Sequence, residues 1–260
     1  MSPQRHYLVT GGTHGIGHAV VDQLLAKGHQ VTILDRDPSQ QTHWIALNLA
    51  DPASIQAAIA ELSGSIHGLI NCAGIAPSDD NQRAVLAINW LGTRTLTESV
   101  LSRLTDDASV VTVASRAGDG WTEHCDMIRT ALPEIDIDQL AERVSLDALT
   151  PARAYELSKE LLIVWTLQMA GNAQGIRFNT ISPSSVDTRL TPAFKAAFQS
   201  RQTHNRSLVS RVATTTEVAA AACFLASPEA SWINGVDLKV DGGVTAKRLL
   251  TRWNLENSET

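Results

Sequence analysis

Cysteine is scarce in this chain: Cys72, Cys125 and Cys223 are the only three in 260 residues, odd in number and widely scattered. That argues against a disulfide framework and fits a reducing compartment. Positive charge is also in deficit. Lys and Arg total 21 against 27 Asp and Glu, the formal charge is −6, and no Lys/Arg-rich run occurs. Nothing in the charge therefore points to nucleic acid or an anionic membrane surface. No apolar run approaches the ~20 residues that span a bilayer, and the start MSPQRHYLV carries no signal-peptide core. Internal repeats, low-complexity tracts and linkers are missing too. The expectation is a soluble cytoplasmic protein of one domain covering residues 1–260, ample in length for a buried core.

What is present is an alternation of short apolar runs with longer helical patterns. His6–Thr10, Gln30–Leu34, Trp44–Leu47, Leu69–Asn71, Ser109–Ala114, Ile176–Ile181 and Val236–Val240 read as strands. Gly15–Lys27, a helix capped by Asp51-Pro52 and running to Leu62, Asn81–Leu104, Ala152–Gly171 and Thr216–Ala226 read as helices. Residues 118–150 read as an irregular insertion with helical potential at Asp136–Leu149, and residues 188–212 as part of a long loop. The tail from about Lys247 reads as polar and partly mobile. Such alternation implies right-handed βαβ units. The fold class is α/β: a Rossmann-like, doubly wound parallel sheet with helices on both faces.

The segment YLVTGGTHGIGHAV puts four glycines into seven positions between the first strand and the first helix. A strand–glycine turn–helix gathers free backbone N–H groups and the positive helix end at one point, a site for a pyrophosphate. Gly11, Thr13, His14, Gly15, Ile16 and Gly17 are the expected contacts. Alone the pattern is weak and a ligand-free tight turn explains it equally well. The second strand ends in Asp35, where a carboxylate accepts hydrogen bonds from a ribose and repels a 2′-phosphate. NAD is favoured on that ground. Arg36 and His14 are the counter-signal for NADP, because cations there would hold the phosphate.

Three further segments follow in order: NCAG at 71–74, VVTVAS at 110–115 and YELSK at 155–159. Tyr155 and Lys159 are four apart and share a helix face. A free tyrosine has a pKa of about 10, too high for an effective base near neutrality, and a neighbouring ammonium is expected to lower it. Ser115 would hydrogen-bond a substrate oxygen. The glycine turn, the NxAG turn, a serine closing a strand and Y-x-x-x-K together resemble the short-chain dehydrogenase/reductase family over nearly the whole chain, to about Val244.

The resemblance implies further roles. Asn89, in AINWLG, would support a proton-relay water, and Lys159 would also hold the nicotinamide ribose. Asn48 and its neighbour Leu49 would meet adenine. Asn71, Ala73 and Gly74 would form the turn under the cofactor, and Pro183, Val186 and Thr188, in ISPSSVDT, would face the carboxamide. Ser184 stands where the family usually has glycine. The insertion, with SKELLIVW and SWING, is similar to a branch that includes bacterial 3α-hydroxysteroid dehydrogenase/carbonyl reductase and coniferyl-alcohol dehydrogenase. That branch implies a bulky hydrophobic cyclic or aromatic alcohol, with residues 188–212 as the substrate loop and Trp121 either lining the pocket or packing at the surface.

EHCD at 123–126 fits no tetrahedral spacing and reads as a polar loop. His14 and His18 flank the phosphate turn without further ligands, so no metal site is expected. The expected activity is NAD-dependent interconversion of a hydrophobic secondary or aryl alcohol and its carbonyl, with Tyr155 as acid/base. An NADPH-dependent ketone or imine reductase and a cofactor-binding redox sensor without turnover are the alternatives. The partners expected are a small hydrophobic substrate and a second copy of the chain, as a homodimer or tetramer paired through the two long helices.

Overall fold

The computed structural model describes residues 3–172, 175–198 and 208–258. The first apolar run is strand β1 (His6–Thr10), buried along its whole length. It pairs in parallel with β2 (Gln30–Asp35) on one side and with β4 (Ile66–Asn71) on the other, placing Val9 beside both Ile33 and Ile70. With β3 (His43–Ala46), β5 (Leu104–Val113), β6 (Arg177–Pro183) and β7 (Asp237–Val240), the sheet has the order β3-β2-β1-β4-β5-β6-β7. The chain winds outward from β1 in one direction and then returns to its other side. The switch between β1 and β4 opens a crevice beyond their carboxyl ends.

Helices cover both faces. On one, α1 (Gly15–Ala26) and α9 (Thr215–Ala226) bury Val20, Leu24, Val218 and Ala222 against the sheet. On the other, α2 (Pro52–Glu61) and α4 (Thr93–Val100) bury Ile55, Leu96 and Val100. Asp51 caps α2 by accepting from the Ala53 N–H at 2.9 Å, as its sequence position predicts.

The helix expected over Asn81–Leu104 is interrupted. It begins as α3 (Gln82–Val85), widens to a π-helical segment over Leu86–Gly92, continues as α4 and ends in a 3₁₀ turn at Leu101–Arg103. Strand β5 begins five residues before the apolar run that marks it. The polar Thr105, Asp106 and Asp107 hide its first half, which meets β4 through a register shift between Ile66 and Gly68.

The insertion is built rather than irregular. A 3₁₀ segment (Arg116–Thr122), α5 (Cys125–Ala131) and α6 (Ile137–Arg143) precede α7 (Pro151–Asn172). Asp136 caps α6 through the N–H groups of Asp138 and Gln139. Ile128, Leu140 and Leu146 from the insertion close over Trp90, Leu161 and Trp165 of the two long helices. Those apolar residues, expected to serve pairing with a second copy, are covered within the chain.

Beyond β6 lies α8 (Thr191–Ala197), and residues 199–207 of the expected substrate loop fall outside the described residues. The tail read as partly mobile is helix α10 (Val244–Ser258). Asp241 starts it, accepting from the N–H groups of Gly243 (2.9 Å) and Thr245 (2.7 Å). Among the described residues no helix is long and apolar enough to cross a membrane.

Candidate active site

The crevice at the switch point is a cavity of about 730 Å³. Its floor is made by two turns that touch. Gly11, with φ +65°, lies so close to the β4 turn that a Cβ would stand 2.8 Å from the Ala73 Cα. Thr10 Oγ1 locks them by accepting from the N–H groups of Cys72 (3.1 Å) and Ala73 (3.0 Å). Gly17 packs back on the same turn, where a Cβ would meet the Gly11 carbonyl oxygen at 2.2 Å.

His14, Gly15, Ile16 and Gly17 line the cavity at the start of α1. This helix, unlike α2 and α9, receives no side-chain cap at its first residue. Gly15 has φ +58°, and the space over it is open as far as the Thr188 methyl, 3.8 Å from where a Cβ would be. An uncapped helix start under a bare backbone fits a pyrophosphate.

Asp35 lines the cavity at the end of β2. Its two carboxylate oxygens accept from the N–H groups of Thr13 (3.0 Å) and Asp37 (3.1 Å), which fixes the group beside the glycine turn. Arg36 and His14 also line the cavity, but both lean on Asp37: Arg36 Nε is 3.8 Å and His14 Nε2 is 3.3 Å from its carboxylate oxygens. Asp37 was not singled out from the sequence, and it opposes the two cations that would favour a 2′-phosphate. His18 pairs with Asp22 at 3.6 Å instead of joining His14.

Ser115 follows the end of β5, and its Oγ accepts from the Ala117 N–H at 3.0 Å to start the 3₁₀ segment. Tyr155 and Lys159 stand on α7, 6% and 5% exposed. Lys159 Nζ donates to the Val113 carbonyl at 3.0 Å and lies 5.6 Å from the Tyr155 ring centre. Burial pushes the Tyr155 phenol upward, against a smaller downward effect of its hydrogen bond with Ser115. The lowering expected from Lys159 does not offset this, because a phenolate in an apolar wall is costly. Burial also lowers Lys159, to about 8. Phe194 of α8 and Phe198, which follows it, meet the Tyr155 ring edge-on at 5.1 and 6.0 Å.

Ala73, Gly74, Asn48, Leu49, Pro183, Val186 and Thr188 all border the same cavity. Three expected contacts do not. Thr13 turns its hydroxyl to the Asp37 carbonyl at 2.9 Å. Asn71 is buried and donates to Thr97 and Thr112. Asn89, in the π-helical segment, holds both sides of Ile75, accepting from its N–H at 2.8 Å and donating to its C=O at 3.0 Å. Gly74 gives Asn89 the room to do so, since a Cβ there would be 3.1 Å from its Oδ1. Asn48 spends its side chain on the Ala50 N–H at 3.1 Å. Trp121 packs on the insertion's apolar cluster and is not part of the cavity wall.

The sequence reading missed one wall altogether. Arg116, His124, Glu160 and Arg248 border the cavity beside the aromatic rim of Phe194 and Phe198. Glu156 and Glu160 stand one residue past Tyr155 and Lys159, an i,i+4 signal that was available. Arg116 is tied to Asp119 at 2.8 Å and to Asp241 at 3.3 Å.

Comparison with known proteins agrees with this geometry. Residues 5–125 match the family described as short chain dehydrogenase, and residues 139–245 match that described as enoyl-(acyl carrier protein) reductase. A coniferyl-alcohol dehydrogenase of a Pseudomonas species is 31% identical over 245 residues, covering 92% of this chain and 96% of the relative. A 3-alpha-hydroxysteroid dehydrogenase/carbonyl reductase of Comamonas testosteroni is 27% identical, with 92% and 96% covered. The crystal structure of a 3-alpha-hydroxysteroid dehydrogenase from a Pseudomonas species, complexed with NADH, superposes with a TM-score of 0.80 at 30% identity, covering 94% of this chain and 98% of that one. A glycine turn, a strand-end serine and a Tyr–Lys pair sharing one crevice are thus joined by similarity along almost the whole length, and the chain belongs to the short-chain dehydrogenase/reductase family.

Proposed function

We propose that the protein is an NAD(H)-dependent oxidoreductase that interconverts a hydrophobic secondary or aryl alcohol and its carbonyl compound. One observation carries the reading: Ser115, Tyr155 and Lys159 border the same cavity as the uncapped start of α1 and the Asp35 carboxylate. A dinucleotide would be held by the backbone of Gly15–Gly17 at its pyrophosphate, by Asp35 at its adenosine ribose and by Pro183 and Thr188 at its nicotinamide. The bound nicotinamide supplies the hydride acceptor or donor.

The chain's own groups manage the oxygen. Ser115 hydrogen-bonds the substrate oxygen and holds its carbon in line. In reduction the neutral Tyr155 phenol passes its proton to that oxygen; in oxidation the phenolate takes it back. Lys159 holds its Nζ 5.6 Å from the Tyr155 ring centre, and acid–base steps of this kind contribute ~10²–10⁴-fold to a rate. Asn89 acts one step back, by fixing the Gly74–Ile75 turn. The hydroxysteroid and coniferyl-alcohol relatives support a ring-bearing substrate. The edge-on Phe194 and Phe198 suit a flat apolar body beside Tyr155.

The test is titration of the full chain with NADH and NADPH, followed by nicotinamide fluorescence, then turnover of aryl and cyclic alcohols by wild type and Tyr155→Phe. NADH should bind tighter than NADPH, and the variant should keep NADH binding while losing at least ~10²-fold in turnover. Tighter NADPH binding would transfer the reading to a ketone reductase, and failure to bind either would remove it.

A further inference from the structure

The wall missed by the sequence reading contains a charge network that the reaction does not use. Glu160 follows Lys159 on α7, and its side chain is 1% exposed. Arg153, two turns earlier, grips it with Nη1 at 3.0 Å from Oε1 and Nη2 at 2.7 Å from Oε2. The same guanidinium reaches Glu156 at 3.4 Å. From the insertion, His124 Nδ1 lies 2.7 Å from Glu160 Oε1. Gly120 makes this approach possible, since a Cβ there would stand 3.1 Å from the imidazole and 3.3 Å from the carboxylate.

The chemistry of the pair fixes the imidazole. An ionised carboxylate only accepts, so His124 Nδ1 carries the proton and donates it. That leaves Nε2, which has no hydrogen-bond partner among the described residues, as the ring atom able to meet a ligand hydroxyl. His124 borders the cavity together with Tyr155, Glu156 and Glu160. Tyr155 and Glu160 are five residues apart on α7, so the carboxylate that holds His124 sits more than one turn further along the helix than the phenol.

We propose that His124, oriented by Glu160 and Arg153, is a second polar anchor of the substrate site. It accepts a hydrogen bond from a hydroxyl at the end of the substrate remote from the reacting carbon. The substrate class is then a hydroxylated ring alcohol, phenolic in type, and not a plain hydrocarbon alcohol. Glu160 and Arg153 are positioning residues. The proposal rests on the reading of Tyr155 as the acid/base, because that places the reacting carbon at the other end.

The full chain saturated with NADH is titrated with cinnamyl alcohol and its 4-hydroxy and 4-fluoro derivatives, which NADH cannot turn over, and turnover of the same alcohols with NAD is measured in parallel. Wild type should bind the 4-hydroxy compound about tenfold tighter than the other two, since fluorine fills similar space without a donor proton. His124→Leu should reduce that preference to about twofold, the 4-hydroxy compound losing more affinity and more kcat/KM than the unsubstituted and 4-fluoro compounds. His124→Gln, which keeps an acceptor, should restore part of the preference. A merely structural histidine would change all three compounds together. Equal binding of the 4-hydroxy and 4-fluoro compounds by wild type overturns the proposal, whether or not the variants fold. So does an undiminished preference in a folded His124→Leu. The preference in binding without turnover of any alcohol would uphold the anchor and refute the proposed activity; neither binding nor turnover would refute both.

Discussion

Lys159→Met should make the protein more stable near neutrality while abolishing its activity. The ammonium is 5% exposed and, among the described residues, makes one hydrogen bond, to the Val113 carbonyl. Burial lowers it from 10.5 to about 8. At pH 7 both folded and unfolded chains carry the charge, so the folded state bears the full penalty of holding it. At 1.36 kcal/mol for each tenfold change in proton affinity, that penalty is about 3 kcal/mol. Methionine keeps the apolar stem but leaves the carbonyl unpaired, a loss of about 1 kcal/mol. The net gain is about 2 kcal/mol, or about 4–8 °C in melting temperature for a chain of this size.

The pH dependence separates this cause from simple repacking. Between about 8 and 10.5 the unfolded lysine holds a proton that the folded one has released, so wild-type stability rises with pH through that window. Above 10 the raised Tyr155 acts alongside it: the unfolded tyrosine gives up its proton while the folded one retains it, and stability falls again. Urea unfolding of both proteins at pH 7 and pH 10 reads the difference. The variant's advantage should vanish and reverse slightly by pH 10. A variant less stable than wild type at pH 7, or an advantage equal at both pH values, refutes the reasoning.

Asp37→Asn should release Arg36 and His14 toward a 2′-phosphate, tightening NADPH several-fold and leaving NADH within about twofold; unchanged NADPH affinity by fluorescence titration would show that the two cations never reach the phosphate. Gly17→Ala drives a methyl to 2.2 Å from the Gly11 carbonyl, so it should cost more than about 4 kcal/mol or prevent folding, and a normal melting curve with normal NADH binding would contradict the turn geometry. Asn89→Ala strips both hydrogen bonds from Ile75 and should cost about 2–3 kcal/mol in urea unfolding, with turnover falling further than NADH affinity; an equal fall in both would place Asn89 in cofactor binding instead.

The parts legible in the sequence are those whose chemistry is local. The parallel sheet follows from alternating apolar runs, and the glycine turn lies between one strand and the next helix. Tyr155 and Lys159 meet because an α-helix brings residues four apart together. What escaped reading depends on partners far along the chain. Nothing near Asn71 or Thr13 says that they turn away from the crevice, to Thr97 and Thr112 or to Asp37. The first half of β5 was hidden by its polar residues, and the π-helical widening at Leu86–Gly92 leaves the apolar period unbroken. The tail looked polar because its anchor, Asp241, lies before it.

That anchor also explains how a distant helix reaches the chemistry. Asp241 starts α10 through the N–H groups of Gly243 and Thr245 and stands 3.3 Å from the Arg116 guanidinium, next in sequence to Ser115. Asp119, which holds Arg116 as well, accepts from Lys239 of β7. The end of β5, the end of β7 and the start of α10 are thus joined by ions with side chains only 6–30% exposed, where screening by water is weak and one missing partner leaves a poorly solvated charge. Arg248 enters the cavity from that same helix. Ser115 is therefore set by β5 on one side and by the C-terminal helix on the other, so substitutions across α10 can alter the substrate end of the cavity without touching the dinucleotide end. Under the proposed function, division of labour runs along the crevice: backbone turns at the end offered to the phosphates, and side-chain networks drawn from distant segments at the end offered to the substrate.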